Sequence, residues 1–260
     1  MAETGLQGKT LFISGGTRGI GKAIVYAFAE KGCDVAFTYA SSAESANEII
    51  ADVETKYSVK CRAYKLDILE PLTYKDVYKL FDEDFDRLDY FISNAIISGR
   101  AVVGGFGPFM RLKPKGLNNI YTATVDAFVV GAQEAAKRME KVGGGSIISM
   151  SSTGNIVYTP NYAGHGTNKA AVETMVRYAA AELGEKKIRV NAVSGGPIDT
   201  DALKAFPNYE EVKDEVVQRS PLSRMGEVTD LTGACLFLCG EASSWLTGQT
   251  IVVDGGTSFQ

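Results

Sequence analysis

The sequence predicts an α/β fold, a doubly wound parallel sheet with helices on both faces. Three observations predict it. Short apolar strands alternate with helical patterns along the whole chain. Those strands are apolar on both alternating sets of positions, as expected when helices cover both faces of a sheet. The first strand also runs directly into a glycine-rich turn that opens a helix. Right-handed crossovers then give the doubly wound arrangement. A chain of 260 residues with 45% apolar content can bury one full-sized core. No linker, repeat or low-complexity run divides it, so residues 1–260 read as one domain.

In chain order, strands are predicted at Thr10–Ser14, Asp34–Tyr39, Lys60–Lys65, Leu88–Ser93, Ser146–Ser151, Arg189–Val193 and Thr250–Val253. Helical patterns fall between them, among others at Ile20–Lys31, Tyr121–Lys141, Pro160–Gly184 and Val228–Leu238. Thr159 is expected to cap the third of these, with Pro160 at its first position. Two stretches interrupt the alternation, at about 96–119 and 199–225. Both follow the carboxyl ends of strands, where open α/β sheets bind ligands. The first carries Gly99, Gly104, Gly105, Gly107, Gly116, Pro108 and Pro114 and is too long for an ordinary strand–helix connection. They read as substrate loops, with plain surface insertions as the alternative.

A net charge of −4 gives no support to nucleic-acid binding. The longest apolar runs are of strand length, so no membrane span is expected, and Met1–Thr4 begins no visible signal peptide. Cys33, Cys61, Cys235 and Cys239 sit in apolar patterns without a metal-ligand set. They are expected to be buried free thiols, which suits a reducing cytoplasm, and no metal site is expected.

The turn reads Gly15-Gly16-Thr17-Arg18-Gly19-Ile20-Gly21. Glycine permits a tight turn and lets backbone N–H groups approach a pyrophosphate at the helix N-terminus. Gly15, Thr17, Arg18, Gly19, Ile20 and Gly21 are therefore candidate dinucleotide contacts. The spacing is not the Gly-x-Gly-x-x-Gly fingerprint, and the position in the first strand–helix unit gives the signal its strength. An NAD-selective site usually places an acid near the end of the second strand. No acid follows Tyr39 before Glu44; Ser41 and Ser42 stand there instead. With Arg18 they can face a 2′-phosphate, so NADPH is expected in preference to NADH.

Further motifs follow in order: Asp67-Ile68 after the third strand, Ser93-Asn94-Ala95-Ile96, Asn191 through Thr200 (including Gly196, Pro197 and Ile198), Pro221-Leu222-Ser223-Arg224 and Val253-Asp254-Gly255-Gly256. With the turn, they make the whole chain resemble the short-chain dehydrogenase/reductase family, which implies a Rossmann-type three-layer sandwich. The resemblance implies that Asp67 and Ile68 lie by the adenine. It implies that Asn94, Ala95, Gly196, Pro197, Ile198 and Thr200 line the rest of the cofactor. A closer resemblance, to enoyl-[acyl-carrier-protein] reductases of the FabL type, is carried by Asn161-Tyr162 through Lys169-Ala170-Ala171, by Gly131 through Lys137, and by Asn191 through Lys204 with Phe206-Pro207-Asn208. It implies NADPH, an acyl carrier protein as partner and a homotetramer. The chain departs from the family where Gly195 replaces a usual proline and Thr124 replaces a usual helix asparagine.

Most enzymes that this chain resembles place a tyrosine four residues before the active-site lysine. Here that position holds His165, the only histidine, and Tyr162 lies seven before Lys169. At 3.6 residues per turn both positions share the face of Lys169, and they differ by about 4.5 Å along the axis. In ketone reduction the hydride lands on a carbon about 1.2 Å from the oxygen that meets the proton donor. In enoyl-thioester reduction the hydride lands on C3, and the charge develops on an oxygen farther off by on the order of 2 Å. A hydroxyl moved along the same face can meet that enolate oxygen. The expected roles are Tyr162 as donor to the oxygen and Lys169 as holder of the nicotinamide ribose and a charge that lowers the tyrosine pKa. The resemblance implies that Ser152, seventeen positions before Lys169, is the active-site serine and shares the oxygen contact. Tyr158 is a rival donor, and His165 is either a spacer or a second proton source. Phe106, Phe109, Leu203 and Phe206 are candidate acyl-chain contacts, with core packing or a subunit contact as the alternative. Arg111, Lys113 and Lys115 can steer an acidic carrier or simply be solvated. A ketone or 3-oxoacyl reductase and a non-catalytic dinucleotide-binding protein are the rival functions.

Overall fold

A computed structural model describes residues 5–97, 99–204 and 209–259. Seven parallel strands form its sheet: β1 Thr10–Ile13, β2 Asp34–Tyr39, β3 Cys61–Lys65, β4 Tyr90–Ser93, β5 Gly145–Ser152, β6 Ile188–Gly195 and β7 Thr250–Val253. Their spatial order is β3-β2-β1-β4-β5-β6-β7. The order reverses between β1 and β4, and it is at such a switch point that a doubly wound sheet opens a crevice for ligand. All seven predicted strands are present.

Strand side chains point alternately to opposite faces. Phe12 joins one core, and its neighbours Leu11 and Ile13 join the other. The first core is closed by α3 (Tyr74–Asp84), α5 (Ala127–Lys141) and α6 (Ala163–Leu183), and the second by α1 (Gly19–Glu30), α2 (Ala43–Tyr57) and α8 (Val228–Cys239). This is the predicted three-layer sandwich. The first core is aromatic at its centre, where the Phe12 ring lies 4.5 Å from that of Tyr78. Each such fully buried ring contributes roughly 1.5–3 kcal/mol. All four cysteines are buried free thiols. No helix of the described residues is long and apolar enough to cross a membrane, and these residues contain no metal-ligand cluster.

The helix boundaries that matter most for function differ from the predicted ones. The helix expected at Tyr121–Lys141 begins earlier, as α4 (Pro114–Tyr121), with Pro114 at a position where its missing N–H costs nothing. It reaches α5 through a π-helical segment, Thr122–Asp126, that contains Thr124. The loop expected at about 96–119 therefore ends in a helix. The helix expected at Pro160–Gly184 starts only at Ala163, and Thr159 does not cap it. Asn161 takes a left-handed φ of 66°, and its carbonyl accepts from Gly107 N (2.9 Å). Tyr162 is thus the residue at the helix boundary, and its carbonyl accepts the first bond, from Gly166 N (2.8 Å).

Candidate active site

Beyond β1 the chain turns at Gly15, whose φ of 76° favours glycine. The turn is held to β2 by Gly15 N donating to Thr38 Oγ1 (3.1 Å) and Gly16 N donating to the Thr38 carbonyl (2.9 Å). A side chain at Gly21 would run into the Gly15 carbonyl and lie 2.6 Å from the Asn94 amide nitrogen. Asn94 itself is a brace: its Nδ2 donates to the carbonyls of Ser14 (3.1 Å) and Gly15 (2.9 Å). The backbone amides of Asn94 and Ala95 donate to Ser14 Oγ. These bonds tie β4 to β1 at the switch point. Helix α1 opens with no acidic residue in its first turn and no side-chain cap, so its first amides remain available to an anion. A pyrophosphate fits this cradle.

The other predicted cofactor residues vary in what they offer. Arg18, Ser41 and Ser42 are exposed at the carboxyl ends of the adjacent strands β1 and β2, and Ser42 Oγ donates to Ser45 Oγ (2.7 Å). Asp67 Oδ1 accepts from Leu69 N (2.9 Å), and the Ile68 side chain is part of the core. Beyond β6, a side chain at Gly196 would lie 2.5 Å from Asp254 Cβ. Ile198 pairs with Gly226, and Thr200 Oγ1 accepts from Leu203 N (3.3 Å) at the start of α7 (Asp201–Lys204). Pro197 borders a small cleft with Thr153, Tyr158 and Arg219.

The three predicted catalytic residues come from the end of β5, the N-terminal boundary of α6 and the first half of that helix. Ser152 ends β5, and its Oγ accepts from Gly154 N (3.3 Å). Tyr162 packs its ring against Gly154, where an added Cβ would lie 2.5 Å from Tyr162 Cδ1. Burial pushes the phenol pKa up, and a hydrogen bond with the Ser152 side chain opposes this. Lys169 is only 7% exposed, and its Nζ donates to the Met150 carbonyl (2.6 Å). Burial pulls its pKa down to about 8, against the opposing charge of Glu173. The expectation that Lys169 lowers the tyrosine pKa is therefore not met. Desolvation outweighs the other influences on Tyr162, which keeps the phenol protonated and able to donate.

His165 stacks on Tyr162 with ring centroids 5.2 Å apart and planes 24° from parallel. Burial and the Lys169 charge hold its pKa down at about 4. Phe106 meets both rings edge-on, 6.4 Å from Tyr162 and 6.0 Å from His165. Of the other predicted acyl contacts, Leu203 is half-buried on α7, while Phe109 is 79% exposed on the outer rim of its loop. Phe206 lies outside the described residues. The rival donor Tyr158 is 86% exposed. Sequence reasoning missed Glu173, whose Oε1 accepts from Ser151 Oγ (2.5 Å); its place one helical turn beyond Lys169 was the available signal.

Residues 15–258 match the family model described as Enoyl-(Acyl carrier protein) reductase. The chain is 38% identical over 252 residues to the 1-cyclohexenylcarbonyl-CoA reductase of Streptomyces collinus, covering 95% of this chain and 86% of that one. It belongs to the short-chain dehydrogenase/reductase family. Among solved structures of this short-chain reductase's relatives, 7α-hydroxysteroid dehydrogenase in complex with NADH and 7-oxo glycochenodeoxycholic acid superposes with a TM-score of 0.89. The two are 32% identical, with 98% of this chain and 97% of that one covered. A blue fluorescent protein from a metagenomic library, in complex with NADPH, has a TM-score of 0.87 at 32% identity, covering 97% of this chain and 98% of that one. This short-chain reductase is an oxidoreductase whose structural relatives include proteins that hold NADH or NADPH.

Proposed function

We propose that this short-chain reductase reduces the carbon–carbon double bond of a trans-2-enoyl thioester, borne on acyl carrier protein, to the saturated acyl thioester in fatty-acid elongation. The observation that carries this reading is the exchange of partners before Lys169. The position four residues ahead holds a half-buried imidazole that is neutral over the working pH range, while a protonated phenol stands seven ahead. The similarity to a reductase named for a cyclohexenylcarbonyl thioester supports a conjugated thioester as substrate class. The family description supports an acyl-carrier form.

When bound, NADPH supplies a hydride to C3. The Tyr162 hydroxyl then donates a hydrogen bond to the thioester oxygen as enolate charge develops there, with Ser152 at its side. Because burial raises the phenol pKa, the proton stays on Tyr162 until enolate charge develops. The enolate then collapses to the thioester as C2 takes up one proton, from Tyr162 or from water, which completes the saturated product. Lys169 stays anchored through Met150 O and presents its ammonium to the ribose. The absence of an acid beside Ser41 and Ser42, together with the exposed Arg18, supports NADPH over NADH. A second reading, ketone reduction, is favoured by the likeness to a dehydrogenase bound to a 7-oxo steroid.

NADPH oxidation separates these readings. Crotonyl-carrier protein is expected to be turned over faster than the acetoacetyl thioester, and the reverse order would establish ketone reduction. Arg111, Lys113 and Lys115 are exposed beside exposed Phe109 and Met110 and form the proposed carrier contact. Reversing all three charges should raise KM for crotonyl-carrier protein several-fold, roughly as expected for rim charges, and leave crotonyl-CoA unaffected. An equal rise for both substrates would remove the carrier from the proposal.

A further inference from the structure

Tyr162 at the boundary of α6 and His165 in its first turn bring two rings together, and the loop before α4 delivers a third. His165 lies face-on to Tyr162, and Phe106 closes edge-on against both. Three backbone features fasten the loop where it brings Phe106 in. Gly107 N donates to the Asn161 carbonyl immediately before Tyr162 (2.9 Å). A side chain at Gly164 would collide with the Gly105 carbonyl, so loop and helix touch backbone to backbone there. A side chain at Gly105 would in turn lie 2.6 Å from the Gly116 carbonyl oxygen, so the loop also meets α4 backbone to backbone. The Tyr162 ring is thus held by Gly154, His165 and Phe106 together. This matters because Tyr162 sits at the helix boundary, where the helix backbone constrains it less than it would inside a turn.

We infer that His165 and Phe106 are positioning residues that clamp the Tyr162 phenol in its reactive place, and that His165 acts through its ring shape without exchanging a proton in the reaction. The inference rests on the reading of Tyr162 as the hydrogen-bond donor. It replaces the two sequence-based expectations for His165, spacer and proton source, and gives Phe106 a role other than lining an acyl tunnel. The titratable neighbours of the imidazole are consistent with it. Lys169 places a positive charge nearby, and Tyr162 presents a ring face. A histidine that is desolvated, stacked on a phenol and subject to the charge of Lys169 stays neutral.

The test compares His165→Ala, His165→Phe and Phe106→Leu in the full chain, following NADPH oxidation with crotonyl thioester across about pH 6 to 9, the range over which an acid–base histidine would show. His165→Ala should lower kcat on the order of 10- to 100-fold, the effect of misplacing a reacting group by about 1 Å, and leave the KM for NADPH unchanged. His165→Phe should recover most of that kcat with the wild-type pH profile, because it restores a stacked ring and no titrating group. Phe106→Leu should lower kcat by a smaller factor, again without changing the KM for NADPH. Full kcat in His165→Ala, or a His165→Phe variant as slow as His165→Ala, would overturn the clamp. Loss of one limb of the pH profile in His165→Phe would assign the imidazole a proton-transfer role and overturn the inference. If His165→Ala does not fold, His165→Phe and Phe106→Leu decide the matter through the pH profile and the kcat against KM split. The wild-type protein is run on both crotonyl and acetoacetyl thioesters. Should it reduce only the second, the enoyl reading fails alone, and the same variants scored on acetoacetyl thioester still decide whether the clamp exists.

Discussion

The nucleotide half and the reaction half of this molecule are built by different means. Around β1, α1 and β4 the working parts are backbone: glycines that let the chain approach itself, amides left available by an uncapped helix, and Asn94 binding two carbonyls to hold the turn. Around β5, α6 and the loop before α4 the working parts are side chains, namely a phenol held by two rings and an ammonium buried on one carbonyl. The difference teaches where each half tolerates change. A backbone cradle fails when volume is added. A side-chain constellation fails when one group is removed, while the fold around it persists.

The largest effect should follow from removing the phenol. Tyr162→Phe is expected to lower kcat for the enoyl thioester by about 10²- to 10³-fold, the usual loss of one oxyanion donor. NADPH affinity, read by fluorescence titration, should be unchanged, because the phosphate turn is not touched. Weakened binding in this variant would mean that the two halves are not separable in the way described. Turnover close to wild type would remove Tyr162 from the chemistry.

The converse change adds a methyl to the cradle. Gly21→Ala gains about 1 kcal/mol of helix propensity, but the new Cβ meets the Gly15 carbonyl and Asn94. Overpacking costs about 1–3 kcal/mol, so the collision wins. The turn must shift, and NADPH affinity should fall roughly tenfold, the equivalent of about 1.4 kcal/mol. Tight NADPH binding in Gly21→Ala would show that the turn adjusts freely and that the backbone half is less exacting than its geometry implies.

The two halves were also unequally legible in the sequence. Strands, sheet class and phosphate turn follow from local rules: apolar runs of strand length, and glycines where a strand meets a helix. The spacing from Tyr162 to Lys169 was equally plain. What could not be read was how the ring of Tyr162 is supported. That depends on contacts between a loop and a helix far apart in sequence, Phe106 to His165 and Gly105 to Gly164. The late start of α6 was hidden for a related reason. Thr159-Pro160 has the composition of a helix start, yet the long-range bond from Gly107 to Asn161 takes the carbonyl and holds Asn161 left-handed. Desolvation was hidden as well. The opposed pKa directions of Tyr162 and Lys169 both arise from burial, which no spacing states.

The smallest expected effect concerns the cost of that burial. Lys169 has its pKa pulled from 10.5 down to about 8, so the folded protein holds this proton less tightly than the unfolded chain does. Between about pH 8 and 10.5 the unfolded state binds more protons, and the sign of the linkage makes wild-type stability rise with pH through that window. Below pH 8 the full penalty of a charged buried ammonium is present. Lys169→Met removes the titration and also the donor to Met150 O, so it loses one favourable contact and one pH-dependent penalty together. The absolute change in stability therefore mixes two terms, but its pH dependence comes from the proton alone. The Tm of Lys169→Met relative to wild type should be highest at or below pH 8 and should fall by a few degrees as pH rises toward 10, since about 1 kcal/mol moves Tm by 2–4 °C in a chain of this size. A difference that stays flat across this range would mean that Lys169 keeps an ordinary pKa in the folded protein. The reaction half would then lack the desolvation penalty on its lysine that distinguishes it from the nucleotide half.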